Sequence, residues 1–489
     1  MPLQELLSIQ TVLSLREPRK EMNPEIRSLD YDSRRVKDGS LFFAIEGAQT
    51  DGHLYIGEAL EKGAVAVASQ QEPPPGPTVP WIQVEAIRPF MASLADHFYQ
   101  QPSRQLQLVG ITGTNGKTTT TFLIHSILER QGPALLMGTI KTQVGEWQVE
   151  SERTTPEAVD IQEILAQAVR SGCRTGVLEV SSHALFFHRV DQCSFPVAVF
   201  TNLSQDHLDF HGSLEEYFQV KCRLFQTAYN PGLKYAVLNA DDPRVARIQL
   251  PPEIQSVTFG VSENSDVYPV AHKTSVEGIE AELQFFNRRL SLSSPLAGQH
   301  NLYNIMAAAT AASFLGVTDE QICQGIARLD RVPGRFEKVD IDRPFTVIVD
   351  YAHTPHALEN VLNLCRQLTQ ERILCVFGCG GDRDRTKRAR MGTLAVSHAD
   401  WSIVTSDNPR YEDPEKILSE IQDGIPADSS NYEIIVDRRE AISRALKMAQ
   451  KGDLVLVAGR GHESYQEVEG RKILFDDREV VKCLVQEVL

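Results

Sequence analysis

Short, uninterrupted apolar runs alternate with longer stretches of helical periodicity along most of the chain. LQLVGI (106–111), GVLEV (176–180) and VAVF (197–200) are runs of the kind buried on both faces of a parallel sheet. Between them, KTTTTFLIHSILERQ (117–131) brings Phe122, Leu123, Ile127 and Leu128 onto one helical face, with Gly132 as a stop. A second helix is expected after TTP (154–156), capped by Thr155, with Pro156 in its first turn and Gly172 beyond its end. The alternation resumes with FTVIVD (345–350), ILCVFG (373–378), WSIVTS (401–406) and DLVLVAG (453–459). Strands separated by helices predict an α/β fold with mostly parallel sheets covered on both faces.

Two breaks divide this pattern. MASLADHFYQ reads as a helix ending just before QQPSR (100–104), and RVPGRFEKV (331–339) precedes the last group of strands. The proline-rich QEPPPGPTVP (71–80) reads as a surface loop, because strand-like WIQV follows at once. The expected domains are therefore 1–104, 105–336 and 337–489, the last of them another α/β unit. At about 150 residues per domain, 489 residues fit three.

Composition narrows the function classes. With 49 basic and 65 acidic side chains, the net charge of −16 argues against a protein that coats nucleic acid or an anionic membrane. No apolar stretch approaches the roughly 18 residues of a membrane-spanning helix, and the N-terminus lacks a signal-peptide pattern. Eight scattered cysteines without a CxxC pair fit a reducing cytoplasm, with most of them as small core residues.

The strongest chemical signal is Gly113-Thr114-Asn115-Gly116-Lys117-Thr118-Thr119, set between a strand and a helix. Glycines let successive backbone N–H groups face a phosphate, Lys117 can reach terminal phosphates, and the Thr118 hydroxyl can ligate Mg²⁺. Ile111 stands where the usual motif has its first glycine, so this is a variant P-loop for a nucleoside triphosphate. Glu179 ends GVLEV, where ligands bind in parallel sheets, and could hold Mg²⁺. His207, among Asp206, Asp209 and His211, could hold a second divalent ion, at even odds with a solvated polar loop. Lys221, on the amphipathic EEYFQVKCRLF (215–225), reads from periodicity as a lysine reaching for water; the competing reading is a depressed pKa and a CO₂-derived carbamate. Further on, Asn304, Arg335 and Asp350 stand at helix, loop and strand boundaries. GCGGDRDRTKR (378–388), SDNPR (406–410) and AGRGHE (458–463) would open on one sheet edge, where Arg383, Arg410 and Glu463 could bind a zwitterion.

Together, DSRRVKDGSLFFAIEGAQTDGH, GTNGKTTT, RTTPEA, LEVSSHAL, TNLSQDHLDFHG, QVKCRLF, PLAGQHNLYN, VPGRFE, VDYAHTP, GGDRDRTKR, DNPR and AGRGHE closely resemble the Mur ligases across nearly the whole chain. The resemblance implies three domains: a smaller N-terminal α/β domain for a UDP-sugar, a central P-loop-type, mostly parallel sheet for ATP and a C-terminal Rossmann-like domain for an amino acid. It implies a cytoplasmic, monomeric, ATP- and Mg²⁺-dependent ligase of peptidoglycan synthesis, and so of cell-wall biogenesis, cell shape and division. The expected reaction joins meso-diaminopimelate to the D-Glu γ-carboxylate of UDP-MurNAc-L-Ala-D-Glu through an acyl phosphate; the alternatives are a lysine-adding member or a folylpolyglutamate synthetase-like ligase. The resemblance assigns Ser33, Ala48, Gln49, Thr50, Thr154, Thr155, Ser181 and Arg189 to the UDP-MurNAc-dipeptide. It assigns Gly113 to Thr119, Asn304, Arg335 and Asp350 to the nucleotide. Arg383, Asp407, Asn408, Pro409, Arg410, Gly459 and Glu463 go to diaminopimelate, Thr118, Glu179, His207 and carbamylated Lys221 to metal, and Lys117, Glu179, His207 and Lys221 to catalysis. Phe187 and Arg153 depart from the family pattern at the nucleotide-sugar end. An unpaired, buried Arg410 is expected to reject lysine, which lacks the second carboxylate.

Overall fold

A computed structural model describes residues 1–8, 10–19, 22–47 and 50–488, apart from the side chains of Asp209 and Val488. The chain is α/β, built on three principal sheets. It gathers into two compact units: residues 1–268, 285–287 and 305–325 in one, and residues 269–284, 288–304 and 326–489 in the other.

The first unit carries two sheets. The N-terminal one has the order Ser14–Arg16, Trp81–Gln83, Ala64–Ser69, Ser40–Phe43, Ser28–Asp30, parallel except at its first edge. Its inward residues Leu41, Phe43, Ala66, Ala68 and Ile82 pack with Phe90, Met91 and Leu94 of the helix Ile87–Phe98. The proline-rich loop joins two of these strands, as its composition suggests. In the central sheet, six strands run parallel: Gln255–Phe259, Tyr235–Asn239, Val197–Phe200, Gln107–Thr112, Thr175–Glu179 and Ala134–Met137. Lys141–Val144 and Trp147–Glu150 extend it antiparallel. The apolar runs of the sequence are therefore buried strands, with Leu108, Val177, Leu178, Ala198 and Val199 fully enclosed.

One helix starts later than its sequence suggests. The element after TTP is Ala158–Arg170, and the residue before it, Glu157, makes no side-chain cap. Thr155 is two residues too early to cap it. Its hydroxyl instead donates to the Glu179 carbonyl at 2.8 Å and accepts from the Ser181 amide at 3.1 Å. A tertiary hydrogen bond thus replaces the local one.

The second unit holds the sheet Glu337–Lys338, Thr346–Asp350, Leu454–Ala458, Ile373–Phe377, Trp401–Val404, Tyr432–Ile434, parallel except for its first edge strand. Pro355–Leu368, Lys387–His398 and Pro414–Gln422 cover one face, Arg438–Met448 and Asp477–Val488 the other. Because these strands are parallel, the loops after Asp350, Phe377, Val404 and Ala458 emerge at one edge.

Candidate active site

The strand Gln107–Thr112 delivers the phosphate loop, and the helix Lys117–Leu128 leaves it. Gly113 (φ 147°) and Gly116 (φ 84°) take backbone angles that L-residues avoid. A Cβ at Gly113 would lie 1.9 Å from the Thr201 hydroxyl, so loop and neighbouring strand meet backbone to side chain. That neighbour also braces the loop. The Thr114 amide donates to the Asn202 carbonyl at 2.8 Å, the Asn115 amide to Asn202 Oδ1 at 3.0 Å, and Thr201 Oγ1 to the Asn115 carbonyl at 2.6 Å. Lys117 Nζ closes over its own loop, donating to the Gly113 and Thr114 carbonyls at 3.0 and 2.8 Å. Thr119 is buried in the helix's first turn.

Thr118 and Glu179 meet beneath the loop. Thr118 Oγ1 donates to Glu179 Oε2 at 3.0 Å, while the Thr139 amide and hydroxyl each donate to the same carboxylate at 2.9 Å. Glu179 is 1% exposed, so its carboxylate is held inside the fold and not solvated at the strand end. Two hard oxygen groups side by side at a phosphate loop fit a magnesium ion.

Lys221 departs furthest from its periodicity reading. It does not reach water: it is 1% exposed, its Nζ donates to the Gly113 carbonyl at 2.7 Å and lies 4.4 Å from the centre of the Tyr217 ring. Burial, reinforced by the positive charge of Lys117, holds its pKa well below that of an ordinary lysine. His207 borders the same tyrosine, with ring centroids 6.2 Å apart, and its Nε2 lies 3.5 Å from Asp206. His211 packs on that tyrosine too, with ring centroids 5.0 Å apart, while its Nε2 lies 2.9 Å from Ser182 Oγ. Among the described residues no three histidines, cysteines or acids gather tightly enough to hold an ion by themselves.

The residues assigned to the dipeptide end lie around Thr155 and Glu157. Thr139 Oγ1 lies 3.1 Å from Thr154 Oγ1 and Thr155 Oγ1 3.2 Å from Ser181 Oγ, and Arg189 Nη1 donates to the Thr155 carbonyl at 3.1 Å. Glu157, nearly enclosed, pairs with three arginines: Arg153 at 2.7 Å, Arg189 at 2.8 Å and Arg88 at 3.2 Å. The guanidinium carbons of Arg88 and Arg189 lie 4.7 and 5.7 Å from the Phe187 ring centre. Sequence reading missed Arg88 and Glu157, because Arg88 comes from another sheet's helix and no spacing links it to Arg189. Ser33 donates to Glu58 Oε2 at 2.8 Å and the Thr50 carbonyl accepts from the Gly47 amide at 2.9 Å. Ala48 and Gln49 lie outside the described residues.

In the second unit, Asn304 Nδ2 donates to Asn301 Oδ1 at 2.9 Å. The Arg335 guanidinium lies 4.5 Å from the Tyr351 ring centre, and Asp350 accepts from the Phe336 and Ala352 amides at 2.7 and 2.8 Å. Burial pushes the Asp350 carboxyl up. At the loop edge, Asn408 Nδ2 donates to Glu463 Oε2 at 2.7 Å, and burial with the nearby Asp407 charge raises the Glu463 carboxyl. Gly459 permits this grouping, since a Cβ there would lie 2.5 Å from Asp407 Oδ2. Pro409 leads into Arg410, whose Nη1 donates to the Gly381 carbonyl at 2.7 Å. Arg383 stays exposed, with its Nη1 3.4 Å from the Asp382 carbonyl oxygen.

The first unit thus carries a nucleotide-type loop and the second a cluster of paired charges at the open edge of its sheet. Sequence models of three Mur ligase domains match in order: the Mur ligase family, catalytic domain at 25–99, the Mur ligase middle domain at 111–312, and the Mur ligase, glutamate ligase domain at 334–461. The chain belongs to the Mur ligase family. Its relatives include proteins named UDP-N-acetylmuramoyl-L-alanyl-D-glutamate–2,6-diaminopimelate ligase. The one from Syntrophomonas wolfei is 45% identical over 467 residues, 95% of this chain and 96% of its own length. The one from Solibacter usitatus is 44% identical over 459 residues, 94% of this chain and 93% of its own. A solved structure of the same name superimposes with a TM-score of 0.70 at 33% identity, covering 100% of this chain and 99% of the other.

Proposed function

We propose that this protein is the ATP-dependent ligase that adds meso-2,6-diaminopimelate to the D-Glu γ-carboxylate of UDP-MurNAc-L-Ala-D-Glu in peptidoglycan synthesis. The relatives' shared name over nearly the whole chain supports the reaction. The observation that carries the amino-acid assignment is the convergence of Asn408, Arg410 and Glu463, which offers a guanidinium and a carboxylate on linked loops. The assignment of residues 1–104, 105–336 and 337–489 to the UDP-sugar, ATP and amino acid belongs to this reading, as do a monomeric state and a cytoplasmic location.

A carboxylate is a poor acyl donor. The γ-phosphoryl group of ATP first passes to the D-Glu carboxylate, giving an acyl phosphate and ADP. The diaminopimelate amine then attacks the acyl carbon, the C–O bond to phosphate breaks, and amide, phosphate and a proton result. The loop amides of Gly113 to Thr119 bind the phosphates, and Lys117 offsets charge on the transferring group. Asn304, Arg335 and Asp350 contact the nucleotide. Ser33, Thr50, Thr154, Thr155, Ser181 and Arg189 hold the dipeptide substrate. Arg383, Asp407 to Arg410, Gly459 and Glu463 orient the amino acid.

Thr118, Glu179 and His207 would hold Mg²⁺, which supplies charge neutralisation for the phosphates. Lys221 joins this set only after its amine has added CO₂ and lost a proton, because a carbamate presents an anionic oxygen where an amine cannot. Its burial and low proton affinity suit that addition. Phosphate release measured with the UDP-dipeptide and, in turn, meso-diaminopimelate, L-lysine and L-glutamate tests the assignment. Release dependent on meso-diaminopimelate is expected; preference for lysine or glutamate would replace it with the lysine-adding or folylpolyglutamate-type reaction.

A further inference from the structure

The arginine that the proposed reaction reserves for the substrate already has a partner. The hairpin of Tyr465–Val468 and Arg471–Leu474 turns through Glu469 and Gly470, both at positive φ, as a two-residue turn requires. Its first strand is stitched to the loop carrying Arg410. The Arg410 amide donates to the Glu467 carbonyl at 3.0 Å, the Glu469 amide to the Arg410 carbonyl at 2.6 Å, and the Glu467 amide to Asn408 Oδ1 at 2.8 Å. Arg410 itself sits at φ 51°, a conformation unusual for a bulky residue, which these bonds maintain.

This stitching sets Glu467 Oε2 3.3 Å from Arg410 Nε. Charge-assisted bonds between guanidinium and carboxylate are usually about 2.7–2.9 Å, so the pair is long. Both side chains are partly open to solvent, at 20% and 28%. The guanidinium has five N–H donors. Nη1 serves the Gly381 carbonyl, Nε faces Glu467, and Nη2 leaves donors for a further carboxylate. The buried, unpaired arginine expected to reject lysine is therefore not what the fold builds. The site is charge-compensated from within.

Resting on the diaminopimelate reading, we propose that Glu467 is the resident counterion of Arg410, a specificity-determining residue with which the distal carboxylate of the amino acid competes. Two anions then share one guanidinium. The gain from the second carboxylate is smaller than for an isolated arginine, and the penalty for an amino acid lacking it is smaller too.

Glu467→Gln keeps the shape and removes the charge. Its KM for meso-diaminopimelate should fall about threefold or more, with kcat and the KM for ATP within about twofold, the scale of a partly exposed ion pair. In an Arg410→Ala background, which by itself raises the KM for meso-diaminopimelate, the same change should leave kcat/KM within about twofold. A purely structural role for Glu467 would instead raise KM or lower kcat. Glu467→Ser, which removes charge and contact together, must also lower KM, and it decides the matter if the glutamine variant fails to fold. An unchanged or raised KM in the folded variant overturns the proposal. Wild-type enzyme without meso-diaminopimelate-dependent phosphate release overturns the underlying reading instead.

Discussion

Lys221 has nothing in its immediate sequence that separates it from a surface lysine on an amphipathic helix. Folding places its amine under the phosphate loop, against the Gly113 carbonyl and near Lys117. Desolvation and a like charge both disfavour the ammonium form, so the neutral, nucleophilic amine is favoured more than in an ordinary lysine. If its carbamate takes part in the proposed reaction, turnover in CO₂-depleted buffer should fall at least severalfold and return on addition of bicarbonate. Lys221→Ala should show no bicarbonate response. An enzyme equally active with and without CO₂ would remove the carbamate from the mechanism. Thr155 gives the opposite lesson: a locally plausible cap is used for a tertiary bond, because its hydroxyl is closer to Glu179 and Ser181 than to a helix beginning at Ala158.

The phosphate loop was legible as an element because its parts are contiguous: strand, glycine turn, lysine–threonine pair and helix all lie within residues 107–128. What sequence could not supply is the neighbouring segment, Thr201–Asn202, whose hydrogen bonds brace the loop. Gly113→Ala should force these apart, because its Cβ would overlap the Thr201 hydroxyl and its φ of 147° is unfavourable for alanine. Nucleotide affinity is expected to drop at least tenfold while far-UV circular dichroism stays close to wild type. Wild-type affinity in this variant would show that the close approach has no bearing on binding. The Tyr465–Leu474 hairpin was not legible at all. Its strands are short, one half-exposed and the other fully exposed, and its importance comes from lying beside Arg410.

Across the whole molecule, several titrating groups lean the same way on acidification. Burial, with Arg335 and Arg478 nearby, lowers His462 to about 3, and burial also lowers His125. Each takes up its proton less readily in the folded chain than in the unfolded one, where histidines protonate near 6.5, so their stabilising contribution is present above that pH and declines below it. The hydrogen-bonded guanidinium of Arg388 holds Glu412 at about 2, adding a loss between about 4.5 and 2. The urea midpoint should therefore fall between pH 7 and pH 5, and His125→Gln should make that fall shallower. An identical slope in the variant would remove His125 from the acid response. The acidic net charge of −16 also coexists with local basic groupings, such as the three arginines around Glu157, so bulk charge said little about the ligands of any one site.

Features confined to a few neighbouring residues were decided along the chain. Apolar runs dictate buried parallel strands, helical periodicity dictates their covering, and a glycine-rich turn before Lys-Thr dictates a phosphate loop. Parallel strands also oblige successive loops to share an edge, which is why the loops at 378–388, 406–410 and 458–463 could be grouped in advance. Partners far apart in sequence were decided by packing alone. The pairs Arg88 with Glu157, Lys221 with Gly113 and Glu467 with Arg410 depend on which surfaces bury together. Ionisation follows from those pairings, because desolvation and neighbouring charge exist only once the chain has folded.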